Sequence, residues 1–294
     1  MSASPEPAGT IYDIGYRRYD GPRLGRREAV AAIMGAGLRA IFGLGRSGRS
    51  KVLPWGAVVL AILPAVIAVA TKVLVGDLIT LYEYETILWD IGALFPIFLA
   101  AQAPELVVND MRFRVLPLYF SRPIGRTDYV AAKLAALALG LLALTFLPVF
   151  VLWLGRVLAS EDIVAALGDE LGALPGIVGS GVLHAVVLAA IGLAICAVAG
   201  RRAYAAGAIL ALFLIGGAVS GIFQSQGGGL EAFAPFTNPL AIIDGTRQWL
   251  FGGVAPRSPV EAADLPLPVY GAATLLVTGA CLGVLALRYR SIST

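Results

Sequence analysis

Arginines stand out among the side chains of this chain that could do chemistry. From Asn109 to Lys133 the sequence reads NDMRFRVLPLYFSRPIGRTDYVAAK, with Arg112, Arg114, Arg122, Arg126 and Lys133 spaced through it. A basic, aromatic, proline-marked segment of this kind reads as a place where a partner docks. The plainer alternative is an anchor whose arginines only meet anionic lipid. That alternative accounts for the charge but not for the aromatics, the two prolines or the length.

A second arginine-bearing stretch, Gly43 to Ser50, reads GLGRSGRS. It matches G-x-G-x-x-G and nearly matches a phosphate-binding loop, with Arg49 where the lysine belongs. Such a loop needs a strand before it and a helix after it, so that amides converge on the phosphate. An amphipathic helix is expected before this stretch and a membrane span after it, so it reads as a basic hinge. Other reactive types are scarce. His184 is the only histidine, and Cys196 and Cys281 lie in apolar runs. They read as a core hydrogen-bonding residue and two inert thiols rather than a metal or acid–base site.

The chemistry has to be positioned by membrane helices. Of the 294 residues, 58% are hydrophobic and only 14% charged, with a mean hydropathy of +0.83. A water-facing surface on a soluble domain of this size would need more charge. A helix needs about 20 apolar residues to cross the hydrocarbon core. Six windows qualify, at about 53–75, 87–108, 129–155, 175–199, 203–223 and 266–287. The expected fold class is therefore all-α: a polytopic membrane protein of six transmembrane helices. Polar, glycine-rich and basic residues fill 1–52, and no short apolar run with a cleavage site follows, so no secretory signal is read.

Lys and Arg alternate between the two sides of this layout. Residues 1–52, the 109–128 connection, Arg201 with Arg202, and Arg288 with Arg290 carry most of them, while the other side has Lys72, Arg156, Arg247 and Arg257. The positive-inside rule then puts both termini in the cytoplasm of a multi-pass protein of the cell membrane. The expected divisions are 1–52, a cytoplasmic arm with an amphipathic interface helix; 53–287, the transmembrane domain with a coupling loop at 109–128 and an outer insert at 224–265; and 288–294, a cytoplasmic tail.

Within the arm, Val30, Ile33, Met34, Leu38, Ile41 and Phe42 fall on one helical stripe, suited to lying in the membrane interface or on a partner. In the outer insert, Asn238-Pro239 gives a good N-cap and first turn. A short helix is expected there, lying against the outer leaflet with Trp249 at headgroup level, its apolar run too interrupted by Asp244, Gly245 and Arg247 to make a seventh span. Span two holds Pro96, Pro104, Asp90, Gln102 and Glu105. Its acids are functional candidates if buried and merely interfacial if they sit at its two ends. Gly217-xxx-Gly221 and Gly279-xxx-Gly283 are small-xxx-small pairs that allow close helix approach.

The 109–128 connection reads as a short helix from Asn109 or Asp110 to about Phe120, ended by Pro123. Thr127 or Asp128 then caps the third span. Here the chain resembles the cytoplasmic loop of ABC-2 type transporter permeases, through Asp110, Arg112, Leu116, Pro123, Ile124, Arg126, Tyr129 and Lys133. The expected layout, with an interface helix, six spans and an outer helical insert, is similar as well. The sequence departs from the family pattern in having Asp110 where Glu is common and in lacking the usual Gly-Thr pair, which leaves the register of the coupling helix open.

The resemblance implies the membrane-spanning subunit of an ABC exporter. Two copies would pair, and each would seat on a separate ATPase subunit through Asp110, Met111, Arg112, Arg114, Leu116, Arg122, Pro123, Ile124 and Arg126. It implies no cofactor in this chain, with ATP and magnesium in the ATPase, and no nucleic acid partner. Spans two and five would line the path of an amphipathic or lipid-like cargo, with Asp90, Phe95, Phe98, Gln102, Tyr204 and Phe213 as path residues. Three rival readings stay open. An autonomous secondary transporter would want several intramembrane charges and a repeat. A membrane enzyme would want paired acids or an activated nucleophile, and none is seen. A permease-like anchor or signalling subunit is the third.

Overall fold

The computed structural model describes residues 21, 25–76, 81–113, 115–121, 124–226, 228–255 and 258–290. Every regular element among them is helical. In chain order they are α1 (Arg26–Ile41), α2 (Arg49–Val75), α3 (Ile87–Asp90), α4 (Leu94–Arg112), α5 (Leu116–Phe120), α6 (Arg126–Thr145) and α7 (Leu147–Leu158). Then follow α8 (Ile163–Glu170), α9 (Leu174–Val198), α10 (Arg202–Gln226), α11 (Ala234–Thr237), α12 (Pro239–Phe251), α13 (Pro259–Ala263) and α14 (Pro268–Arg290).

Among the described residues, five helical stretches are long and apolar enough to cross a membrane: Arg49–Val75, Arg126–Leu158, Ile163–Val198, Arg202–Gln226 and Pro268–Arg290. The expected window at 87–108 differs from the rest. It is split into α3 and α4 by a turn at residues 91–93. Proline supplies the reason. Pro96 has no N–H for the Gly92 carbonyl, and its ring crowds that position, so it weakens the helix there and suits the first turn of a new one, where α4 begins at Leu94. What remains, α4, carries Glu105, Asp110 and Arg112 near its end and is packed on most sides.

Burial sorts the bundle into centre and rim. The most apolar window of Ile163–Val198 is 72% buried, whereas those of α2, α10 and α14 are each 22% buried. The open faces of these rim helices carry Val59, Leu74, Leu214, Ile215, Leu275 and Leu276. So much exposed aliphatic surface is unsuited to water and suited to lipid or another apolar surface. The two small-residue pairs belong to this rim. An added Cβ at Gly221, Gly279 or Gly283 would meet nothing within 4 Å.

The helix ends gather into two groups. One holds α1, α5 and the adjoining ends of α4, α6, α9, α10 and α14, stitched by Arg46 and Arg202 to Glu105, Arg126 to the Arg290 carbonyl, and Arg288 to the Ala197 carbonyl. The other holds α3, α8, α11, α12 and α13, stitched through Tyr84, Arg156, Glu170 and Arg247. We call these the arginine end and the Tyr84 end.

Helix α1 buries Ile33, Gly37 and Ile41, and its partner is α6 of the same chain. A Cβ on Gly37 would come within 2.9 Å of the Ala136 Cβ, so glycine sets how closely the two helices approach. Helix α12 keeps its expected start: the Asn238 side chain accepts the Leu240 N–H at 3.0 Å. It is short, as expected, but does not lie on the surface, and Asp244, Gly245 and Arg247 interrupt its apolar run without ending the helix. Those residues form its packed face, and Ala241 through Gln248 are all buried.

Candidate functional site

At the arginine end, the segment after α4 is built differently from the single helix expected between Asn109 and Phe120. Helix α4 runs on to Arg112, a turn follows, and α5 is a separate short helix. Helix α6 starts after Gly125, whose N–H donates to Asp128 Oδ2 at 2.8 Å, so Asp128 acts from the third helical position instead of as the cap itself. Arg26 donates two 2.8 Å hydrogen bonds to the same carboxylate, which ties α1 to the start of α6. That pairing also raises the pKa of Arg26 above its ordinary value.

Asp110 turns inward. Lys133 lies 2.7 Å from its carboxylate, and the Tyr129 hydroxyl donates to it at 2.7 Å. Lys133 is buried, and its ammonium also donates to the Leu106 carbonyl at 2.8 Å. The Tyr129 ring packs against Tyr119 and Phe120 of α5 and against Tyr289 of α14, with centroids 5.6, 6.3 and 5.6 Å away. Leu116 and Ile124 are buried as well, and Met111 packs partly against the core. These residues brace the segment from within. Arg112, Phe113 and Leu118 face outward, the last two 66% and 69% exposed. Arg126 reaches to the end of α14. Arg114, Arg122 and Pro123 lie outside the described residues.

A cleft of about 590 Å³ opens between α1, α4, α5 and α6, with Ile33, Gly37, Glu105, Asp110, Leu118 and Lys133 on its walls. Glu105 on its rim is held by Arg46 at 2.6 Å and Arg202 at 2.7 Å. One carboxylate therefore joins the α1–α2 turn, α4 and the start of α10. The Gly43–Ser50 stretch is that turn. Gly43 and Gly45 adopt φ of 63° and 82°, which closes α1 and redirects the chain into α2.

Of the residues assigned to a path, Phe95, Phe98, Gln102 and Phe213 are buried, and α4 packs along α9 and α10. Tyr204 is 64% exposed at the start of α10, and Asp90 is exposed at the end of α3. The six do not form one surface. His184 is buried and hydrogen-bonds through Nδ1 to the Ser180 carbonyl of its own helix at 2.9 Å.

Among the described residues, the Tyr84 end holds the most deeply buried charges. Arg247 and Asp244 form an ion pair with side chains 0% and 2% exposed. Arg247 also donates to the Tyr84 carbonyl, Gln248 to Asp244, and the Ala255 N–H to Gln248. Burial pushes the Asp244 carboxyl upward, and Arg247 opposes that shift. Arg156 stacks 4.5 Å over the Tyr84 ring and pairs with Glu83 at 2.7 Å, while the Tyr84 hydroxyl donates to Glu170. Burial, then that bond to Glu170, raises the Tyr84 hydroxyl well above its usual range. A cavity of about 280 Å³ beside this pair is lined by Glu85, Asp90, Asp244, Arg247 and Ser258 among others.

Sequence reasoning missed this second network, reading Asp244 and Arg247 only as interruptions of an apolar run. The available signal was spacing: Asp244, Arg247 and Gln248 stand at i, i+3 and i+4 on one face of α12. Among the described residues, no group of three or more His, Cys, Asp or Glu side chains could hold a metal ion. No protein-family model matches the chain, and no curated protein matches it.

Proposed function

We propose that this chain is the permease subunit of an ABC-2 type exporter, driven by a separate ATPase that seats on the segment from Asp110 to Arg126. The bracing of that segment is the observation that carries the reading. Asp110 at the end of α4 is held by Lys133 and Tyr129 of α6, and Tyr119 and Phe120 of α5 pack on the Tyr129 ring. A load applied to Arg112, Phe113 and Leu118 would therefore reach α4 and α6 together. An exposed Phe and Leu beside arginine suits a protein groove better than a lipid anchor alone, which needs only charge.

In this reading α3 and α4 together make a sixth crossing, because α4 runs between the same two groups of helix ends as its neighbours. The arginine end then faces the cytoplasm of a cell-membrane protein, both termini lie there, and α11 to α13 form an outer insert. Two copies pair, each seated on an ATPase copy that carries the ATP and magnesium. The buried apolar and aromatic contacts between α4 and α10 suit a path that opens only when the helices part, and they favour an amphipathic or lipid-like cargo.

Co-expression with candidate ATPases tests the reading. An ATPase should copurify with the wild type, and R112E combined with L118D should abolish the association while the protein stays folded. If no ATPase associates, or if that double variant binds as well as the wild type, the docking assignment is wrong.

The buried Asp244–Arg247 pair, with Asp90 on the same cavity, favours a second reading: an autonomous secondary transporter that uses these charges. Transport by this chain alone in ATP-free proteoliposomes, driven by an ion gradient and lost in D90N, would select it over the first.

A further inference from the structure

At the arginine end, α6 and α14 approach each other at their tips and leave a groove of about 230 Å³ open to the side. Arg126, Val130 and Leu134 line one wall at helical spacing, and Leu282, Ala286 and Arg290 line the other. The floor is the buried Tyr289 ring, which rests on Tyr129. Charge is confined to one end of this groove, and the remaining lining is apolar apart from the Thr127 hydroxyl and Tyr289. Among the described residues, no carboxylate lines it. Asp128, the nearest acid on α6, is turned toward Arg26. The cleft beside α1 differs, since Glu105 and Asp110 belong to its walls.

We propose that this groove holds one anionic phospholipid, its phosphate on Arg126 and Arg290 and one acyl chain along Val130, Leu134 and Leu282. The inference rests on the two helices spanning a membrane and is independent of any ATPase partner. Three features specify the occupant. The first is polarity: two guanidinium groups without an acid in the groove ask for an anion, and the apolar remainder asks for a hydrocarbon. The second is length. From Arg126 to Leu134 α6 rises about 12 Å, close to the roughly 15 Å of hydrocarbon in one leaflet. The third is location, because basic pockets between spanning helices at the membrane surface recognise acidic headgroups.

The test uses the full chain purified in mild detergent, with phosphatidylglycerol or phosphatidylcholine added and bound lipid counted by native mass spectrometry. The wild type should retain one phosphatidylglycerol per chain in clear preference to phosphatidylcholine. Each arginine removed should weaken phosphatidylglycerol retention about fivefold, so R126Q/R290Q should weaken it roughly 25-fold. L134W, which fills the groove without touching charge, should displace the lipid altogether. If L134W does not fold, R290Q alone still decides through its fivefold effect. Equal retention of the two lipids overturns the proposal, as does phosphatidylglycerol retention unchanged in R126Q/R290Q. A lipid-free dimer that crosslinks through a cysteine placed at Ala286 also overturns it, because the groove would then be covered by a second copy.

Discussion

The two ends of the bundle use charge in opposite ways. At the Tyr84 end, the Asp244–Arg247 pair is almost wholly removed from solvent, and the surrounding helices close on it tightly. A Cβ on Gly245 would run into the Tyr270 ring, and one on Gly271 would come within 2.9 Å of Trp249, so α12 and α14 are locked at short range. At the arginine end, the Arg26 and Arg46 side chains that reach Asp128 and Glu105 are 65% and 48% exposed, and a cleft separates α1 from α5. Buried charge held in an ion pair resists rearrangement, because any motion strands an ion in a poor solvent. Exposed pairs exchange with water at little cost. The contrast makes the Tyr84 end a fixed frame and, at the arginine end, leaves α1 and the α1–α2 turn able to yield to a partner while the buried Lys133–Asp110 pair holds α4 to α6.

The largest expected effect breaks the frame. R247M leaves Asp244 buried without its cation and should destabilise the protein by about 3–5 kcal/mol. Replacing both ions with apolar side chains, as in D244L/R247M, should recover most of that loss, since the desolvation cost of both charges disappears with them. Thermal unfolding in detergent, followed by tryptophan fluorescence, reads both variants. A double variant no more stable than R247M would mean that the pair does more than balance its own burial.

Close packing gives the next effect. G245V drives a branched side chain into Tyr270 and should cost about 1–3 kcal/mol, the usual range for overpacking. The same substitution at Gly279 or Gly283, where an added Cβ meets nothing within 4 Å, should leave the isolated chain's stability unchanged. Should G279V prove as damaging as G245V, the rim face of α14 is occupied by another apolar surface and is not open to lipid.

Much of the bundle could be read from the sequence, because apolar length and proline are strong local signals. Helix α2, the run from α6 into α7, α9, α10 and α14 fall on the windows counted from hydropathy. The interruption at residues 91–93 was harder to see. Pro96 was visible as a bend, but whether a proline bends or breaks a helix depends on what packs around it. The basic segment was legible because its residues are consecutive. Its inward half was not, since nothing local says that Asp110 meets Lys133 on the next helix. The Tyr84 network was hidden for the same reason: Tyr84, Arg156, Glu170 and Arg247 are far apart in the chain and meet only through the fold.

A smaller effect sharpens the role of the arginine end. Y129F removes the hydroxyl that Asp110 accepts but keeps the ring against Tyr119 and Tyr289. Lys133 still neutralises Asp110, so the loss should be about 1 kcal/mol. If the bracing transmits load as proposed, Y129F should keep its ATPase bound yet lower cargo-stimulated ATP hydrolysis. A loss of binding together with coupling would place Tyr129 in the folding of α5 rather than in transmission.

The smallest effect tests the premise of the contrast. Arg26 reaches Asp128 with two well-formed hydrogen bonds, yet its side chain is mostly in solvent. Screening over about 8 Å at 0.15 M salt, against roughly 30 Å at 0.01 M, should make the pair matter only at low ionic strength. R26A should therefore unfold with the wild type at 0.15 M salt and slightly before it at 0.01 M. Asp128 keeps its bond from the Gly125 N–H in either case, so the start of α6 stays capped. A loss in R26A that matches Y129F and ignores salt would mean that α1 is fastened to α6 as firmly as α12 is to α14. The arginine end would then be a second rigid frame, and a docked partner would have to move the bundle as a whole.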